Sequence, residues 1–347
     1  MDINERQALY FLQPYEVEVR GEPMPVPEPG QVLVRTAVSA ISPGTEMLFY
    51  RGQVPPDMAV DSSIEELKNT VSYPLKYGYA AVGRVISVGQ GVDSHWLGQM
   101  VFLFHPHESH FITAVANLHP LPQGLPAETA VFLPLMETAV SFLMDGQPLI
   151  GEQVALLGQG IVGLLTTALL AQYPLACLVT FDHFPLRRRW SRRLGAHAAL
   201  DPGAADTPEQ LQSYFGKNQP YAGADLVYEL TGNPQALDEA IALVGYDGRV
   251  LIGSWYGQKQ APLALGGRFH RNHVRLISSQ VSSIAPRWRG RFDQARRLQI
   301  TWSQLKRHQP EKLITHRFPL AQAAQAYQLL EQSPGSAVQI IFTYEDE

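Results

Sequence analysis

The chain has 347 residues, of which 45% are hydrophobic and 17% charged, and its formal net charge is −5. That length exceeds one ordinary core and suits two domains, and the balance is that of a globular protein. A mildly acidic chain lacks the electrostatic footprint of a nucleic-acid or anionic-membrane binder. The one basic run, residues 187–193, reads as the polar face of a helix. A single cysteine, Cys177, excludes an internal disulfide and a zinc site built from several thiolates. Lying in an apolar stretch, it reads as a small buried hydrophobe. The first residues carry no apolar signal region. The most apolar stretch, 154–171, is interrupted by Gly158, Gly160 and Gly163, so no membrane span is expected and a cytoplasmic location is.

In chain order, Pro23, Pro25, Pro27 and Pro29 predict an extended segment that turns at Pro29-Gly30. Residues 32–38 and 83–89 read as short strands bounded by turn residues. Between them, Ser62-Ser63-Ile64-Glu65-Glu66-Leu67 offers a capping-box start to a short helix. From about residue 151 strands alternate with helical stretches, the pattern of βαβ units and a parallel sheet.

Residues 154–157 predict a strand, followed at once by Gly158-Gln159-Gly160-Ile161-Val162-Gly163 and then an apolar helix over 164–172. In this context the glycines have distinct tasks. Gly158 allows the tight turn, Gly160 lets backbone approach a pyrophosphate, and Gly163 lets helix and strand pack closely. The phosphates would face N–H groups at the positive end of the helix. Gly158, Gly160, Val162 and Gly163 are therefore the expected cofactor-binding set in this loop. The next strand ends at Asp182, whose carboxylate suits the two ribose hydroxyls of NAD and repels a 2′-phosphate. Arg187, with Arg188 and Arg189, leaves use of NADP possible. Two further strands break at Thr231-Gly232 and Gly253-Ser254. Ligands in open α/β sheets lie beyond the carboxyl ends of strands, so Thr231 and Ser254 are expected beside the cofactor, with loop capping as the alternative.

These segments, in this order, resemble the medium-chain dehydrogenase/reductase superfamily nearly end to end. Gly30-Gln31-Val32-Leu33-Val34 is similar to its G-x-V-L-V strand. Tyr73-Pro74-Leu75-Lys76-Tyr77-Gly78-Tyr79-Ala80-Ala81-Val82-Gly83-Arg84-Val85 is similar to its P-x-x-x-G-H-E-x-x-G-x-V, and Leu97-Gly98-Gln99-Met100-Val101 to G-D-R-V. Leu313-Ile314-Thr315-His316-Arg317-Phe318-Pro319-Leu320 resembles the closing I-T-H-x-F-x-L segment. The resemblance implies an α/β architecture in two parts. One is a GroES-like, β-rich catalytic domain over 1–140 and 277–347. The other is a Rossmann doubly wound parallel sheet over 141–276. It further implies a homodimer, and the nearest subgroup includes the bacteriochlorophyllide a hydroxyethyl dehydrogenases.

The departures from the family pattern bear on the chemistry. Its first zinc-ligand cysteine would fall near Ser42, its histidine on Tyr79, the adjacent glutamate on Ala80 and its third ligand near Pro134. The four-cysteine structural loop is missing. Ser, Tyr and Pro do not make a zinc site, so no metal is expected. His105-Pro106-His107-Glu108-Ser109-His110 is the one cluster that offers imidazoles; read as a strand, it turns His105 and His107 to one face. The alternatives are a metal site or a segment replacing the lost loop, with His107 or His110 bonding a polar substrate. Tyr79 stands as proton donor or as space filler, while Thr45 and Glu46 stand as a proton relay, Glu46 alternatively as a buried or capping carboxylate. Thr138, at the crossover between domains, is expected against the nicotinamide. The leading expectation is an NAD(H)-dependent oxidoreductase interconverting a small alcohol and a carbonyl without zinc. The alternatives are a zinc-free quinone or enone reductase and a non-catalytic NADH-binding sensor or structural protein.

Overall fold

The computed structural model describes residues 5–55, 70–216 and 222–344. The helix expected at Ser62 to Leu67 lies outside the described residues. The chain divides into two compact units, Met1–Pro134 with Trp302–Glu347, and Leu135–Thr301.

The first unit opens with β1 (Glu5–Gln13) and β2 (Glu16–Pro23), an antiparallel hairpin. There follow β3 (Gln31–Ala40), α1 (Pro43–Tyr50), β4 (Ala81–Val88), β5 (Met100–Leu103), β6 (His110–Ala114) and β7 (His119–Pro120). The short α2 (Ala127–Ala130) precedes α3 (Leu133–Gly146), in whose first turn the units divide.

The second unit continues through β8 (Gln153–Leu157), α4 (Ile161–Leu170), β9 (Cys177–Phe181), α5 (Pro185–Arg193) and β10 (Ala198–Leu200). Its second half runs α6 (Thr207–Phe215), β11 (Ala224–Glu229), α7 (Pro234–Leu243), β12 (Val244–Ile252), β13 (Arg275–Ser278) and α8 (Gln294–His308). The chain then returns to the first unit with β14 (Ile314–Pro319), α9 (Ala323–Gln332) and β15 (Gln339–Thr343).

In the first unit a seven-stranded sheet has the order β14-β15-β3-β4-β5-β7, with β6 pairing β3. Its pairings are antiparallel except β14 with β15. One core gathers Phe11, Ile41, Phe49, Tyr77, Tyr327 and Phe342; another gathers Val32, Val34, Val85, Val101 and Phe111. This is the GroES-like, β-rich part.

The second unit is a six-stranded, wholly parallel sheet in the order β10-β9-β8-β11-β12-β13. That is the Rossmann order 3-2-1-4-5-6, whose topological switch point lies between β8 and β11. Its strands read as near-continuous apolar runs because a parallel sheet is covered on both faces. Ala155, Leu157, Val179, Phe181, Val227 and Val250 fill the core.

The divisions fall at 134/135 and 301/302, against the expected 140/141 and 276/277. On the C-terminal side the reason is packing beyond the expected end of the sheet. β13 runs to Ser278, Ser279 and Arg287 bond Asp145 of α3, and Arg297 of α8 pairs with Glu137 at 3.0 Å. Residues 104–109 are not the strand expected for the histidine cluster; only an isolated bridge, Ala8 to Glu108, forms there. Pro106 has no N–H to give a ladder.

Candidate functional site

Two groupings of chemistry-bearing residues stand out, one in each unit. In the second, β8 ends at Leu157 and Gly158 turns the chain with φ +90. A Cβ on Gly158 would lie 2.7 Å from the Leu230 carbonyl oxygen, so the turn is pressed against the end of β11. Gly160 is the N-cap of α4 and has no side chain to cap it. The helix therefore starts at Ile161, three residues before its expected start, and ends at Leu170, with Val162 and Gly163 in the first turn. The first N–H bonded within the helix is that of Leu164, to Gly160 O at 2.9 Å. The N–H groups of Ile161, Val162 and Gly163 are thus those a helix start offers to an anion. A Cβ on Gly163 would sit 2.0 Å from Gly158 O, which is why glycine stands there.

Asp182 follows β9 directly and is buried. Its Oδ2 accepts from Gln159 N–H and its Oδ1 from Phe184 N–H, both at 2.8 Å. Each carboxylate oxygen keeps a second acceptor site, so the aspartate locks the glycine loop and can still receive ribose hydroxyls. Arg187 lies 3.8 Å from Asp182 Oδ2 and stacks over the Phe184 ring. Burial pulls its guanidinium pKa down, against the charge of Asp182.

Thr231 and Ser254 sit beyond the carboxyl ends of β11 and β12 and meet there. Ser254 Oγ accepts from Gly232 N–H at 2.8 Å, and Thr231 is held through its N–H and hydroxyl by Glu229. Thr138 is half-buried in α3. Sequence reasoning assigned nothing to Gln159 or Glu229. Gln159 Oε1 takes the Thr167 hydroxyl of α4 at 2.9 Å, and Glu229 was legible only as a charge closing a buried run.

In the first unit, Tyr79 is half-buried and its hydroxyl donates to Ser42 Oγ and lies 3.4 Å from Thr45 Oγ1. Ser42 is the N-cap of α1, with Pro43 at its first position and Thr45 in its first turn. Three hydroxyls thus converge where the family resemblance puts a metal. A divalent zinc is held by thiolate, imidazole or carboxylate, and this donor set does not fit one.

Glu46 and His107 lie behind these hydroxyls and are both fully buried. Glu46 Oε1 accepts from Ser42 N–H at 2.7 Å, while Oε2 accepts from Tyr327 at 2.5 Å and faces His107 Nε2 at 3.1 Å. His107 Nδ1 lies 2.7 Å from Ser39 Oγ, itself 2.7 Å from the Tyr344 hydroxyl. Burial, with the adjacent Glu46 charge, pushes the Tyr327 phenol well up, and burial does the same to Tyr344, so both keep their protons. A continuous chain of polar contacts thus links Tyr344, Ser39, His107 and Glu46. Glu46, expected as a relay or as a buried capping carboxylate, and His107, expected against a polar substrate, are both enclosed in this network.

The remaining histidines diverge. His105 stacks on Phe111 with centroids 3.8 Å apart, and His110 Nδ1 meets Ser109 Oγ at 3.1 Å. Among the described residues no three His, Cys, Asp or Glu side chains converge on a metal position. Among them, too, no helix is long and apolar enough to cross a membrane.

The sequence profile of zinc-binding dehydrogenases matches residues 162–298. D-Guloside 3-dehydrogenase of Escherichia coli (strain K12) is 25% identical over 274 residues, covering 74% of this chain and 77% of that one. Two solved structures share the fold. One is described as a short chain alcohol dehydrogenase from Escherichia coli CFT073 complexed with cofactor NADH. It has a TM-score of 0.78 and 18% identity, over 98% of this chain and 99% of that one. The other, 2R,3R-butanediol dehydrogenase from Bacillus subtilis, has a TM-score of 0.77 and 19% identity, over 97% and 99%. The chain belongs to the medium-chain dehydrogenase/reductase superfamily, among its zinc alcohol dehydrogenase-like members.

Proposed function

We propose that this chain is an NAD(H)-dependent oxidoreductase that interconverts an alcohol and a carbonyl without catalytic zinc. The observation that carries the reading is the meeting of Tyr79, Ser42 and Thr45 in place of metal ligands. The glycine turn, the start of α4 and Asp182 fit a dinucleotide, and Asp182 favours NAD over NADP. Relatives named as dehydrogenases, one solved with NADH, support the same reading. When bound, the nicotinamide supplies the hydride. The chain's own task is to hold a proton at the Tyr79 hydroxyl, donate it to the reacting oxygen and refill it through Ser42 or Thr45. The same reading takes a small-molecule substrate and a cytoplasmic homodimer, which sedimentation and cell fractionation test.

Tyr79→Phe removes the donor and keeps the ring. Turnover should fall by about 10²- to 10³-fold, as when one charge-stabilising donor is lost, with NADH affinity unchanged. Metal analysis should find zinc far below one per chain, and chelators should leave turnover intact. A Tyr79→Phe protein with full turnover, or activity lost with a stoichiometric zinc, overturns the proposal. Product analysis, carbinol against saturated ketone, separates it from enone reduction.

A further inference from the structure

Glu229 closes β11, fully buried, in register with Leu157 on one side and Ile252 on the other. Leu157 is the residue before the glycine turn, so this carboxylate lies at the switch point of the sheet, directly behind its rim. Its Oε1 accepts from Thr231 N–H at 2.7 Å and from the Thr231 hydroxyl, and its Oε2 accepts from the Tyr256 hydroxyl. Thr231 Oγ1 in turn accepts from Asn233 N–H at 2.9 Å, and of its two acceptors Glu229 is nearer than Asn233 O at 3.4 Å. Burial, together with Glu229, pushes the Tyr256 phenol up, so it too arrives as a donor. A carboxyl group that only accepts is an ionised one. Exposed Lys259 donates to Gly232 O at 2.9 Å and fastens the same two loops, with its charge screened by water.

A dinucleotide laid across a Rossmann crevice has a fixed polarity. With Asp182 at the end of β9 to take the adenosine ribose and the α4 start to take the pyrophosphate, the nicotinamide half would fall beyond the switch point, at the ends of β11 and β12. Oxidised nicotinamide carries a positive charge that the reduced ring lacks, and the rest of the two cofactors is alike. We propose that Glu229 is a specificity-determining residue whose buried negative charge raises affinity for oxidised NAD relative to NADH. It does so from behind Thr231, without touching the cofactor. The inference rests on the dinucleotide function proposed above.

The test measures Kd for NAD and for NADH by calorimetry on the native chain and on Glu229→Gln. The amide can still accept from Thr231 and donate to Tyr256, so the site remains satisfiable. NAD affinity should fall relative to NADH by roughly fivefold or more, the scale of one unit charge at short range in a poorly screened site. Tyr256→Phe keeps the charge and should leave the ratio in place even if both affinities change. If Glu229→Gln fails to fold, Glu229→Gln with Tyr256→Phe removes the hydroxyl whose own hydrogen has lost its acceptor and carries the same expectation. Equal losses for both cofactors, or an unchanged ratio, overturn the inference and leave the dinucleotide site standing. Failure of the native chain to bind either cofactor overturns both.

Discussion

Glu46→Ala is the sharpest test of the network behind Tyr79. The carboxylate receives three donors, Ser42 N–H, Tyr327 O–H and His107 N–H, and is fully buried with them. Truncation leaves all three without their acceptor, and each buried orphan costs about 1–3 kcal/mol. Water entering the vacated space recovers part of that, so the net loss should be about 3–6 kcal/mol. At about 2–4 °C per kcal/mol for a domain of this size, the melting temperature should fall by roughly 6 to 24 °C. Glu46→Gln should cost about one hydrogen bond, because the amide still accepts from Ser42 and His107 can turn its proton toward Ser39. Scanning calorimetry on the three proteins, with turnover measured below each transition, reads the outcome. A Glu46→Ala protein melting within about 2 °C of the native one would refute the network. A Glu46→Gln protein that is stable, binds NADH normally and yet has no turnover would restore the relay role.

Asp182→Ala should narrow or reverse the preference for NADH over NADPH, with Arg187 and Arg188 at hand for the 2′-phosphate; calorimetry of both cofactors checks it. It should also lower stability, since Gln159 and Phe184 lose the acceptor of their N–H groups. On the β1–β2 hairpin, burial alone would raise the Glu22 carboxyl. Hydrogen bonds from Tyr10 and Lys76, with the charges of Lys76 and Arg6, instead hold it at about 2. Its folded pKa is depressed, so its stabilisation is complete above the unfolded value near 4.5 and is lost as pH falls toward about 2. Denaturant titrations between those limits should show that loss in the native chain and not in Glu22→Gln.

What could be read in the sequence was what is local. The strand, glycine turn and helix from β8 to α4 lie within a few residues of one another, and Asp182 follows at a spacing set by one βα unit. The early start of α4 was hidden because Gly163 reads as a loop residue. The packing role expected of Gly163 is carried out from inside the first helical turn, where an added Cβ would lie 2.0 Å from Gly158 O. The burial of Glu46 was not legible, since Tyr327 and His107 reach it from 281 and 61 residues away. The histidine cluster misled for a related reason. Alternation promised one face, but Pro106 breaks the ladder and each imidazole finds a different neighbour, that of His107 lying far away in the chain.

The two buried glutamates answer one physical problem. A site that stabilises charge without a metal must hold its donors in place beforehand, because mobile hydroxyls spend their hydrogen bonds on water. Ser42 caps α1, Thr45 and Glu46 stand in its first turn, and Glu46 reaches back to the Ser42 N–H, fixing where the helix begins. His107 and Tyr327 then fix Glu46. The Tyr79 hydroxyl therefore meets a Ser42 whose position is set from within the core. Glu229 does the corresponding work at the rim of the parallel sheet, gathering Thr231 and Tyr256. In each case the carboxyl group is withdrawn from solvent and a hydroxyl is put forward. A substitution at either glutamate should therefore act through the placement of hydroxyls or through the field of a buried charge. In the proposed function the reacting group is Tyr79, so Tyr79→Phe should cut turnover while stability stays nearly unchanged.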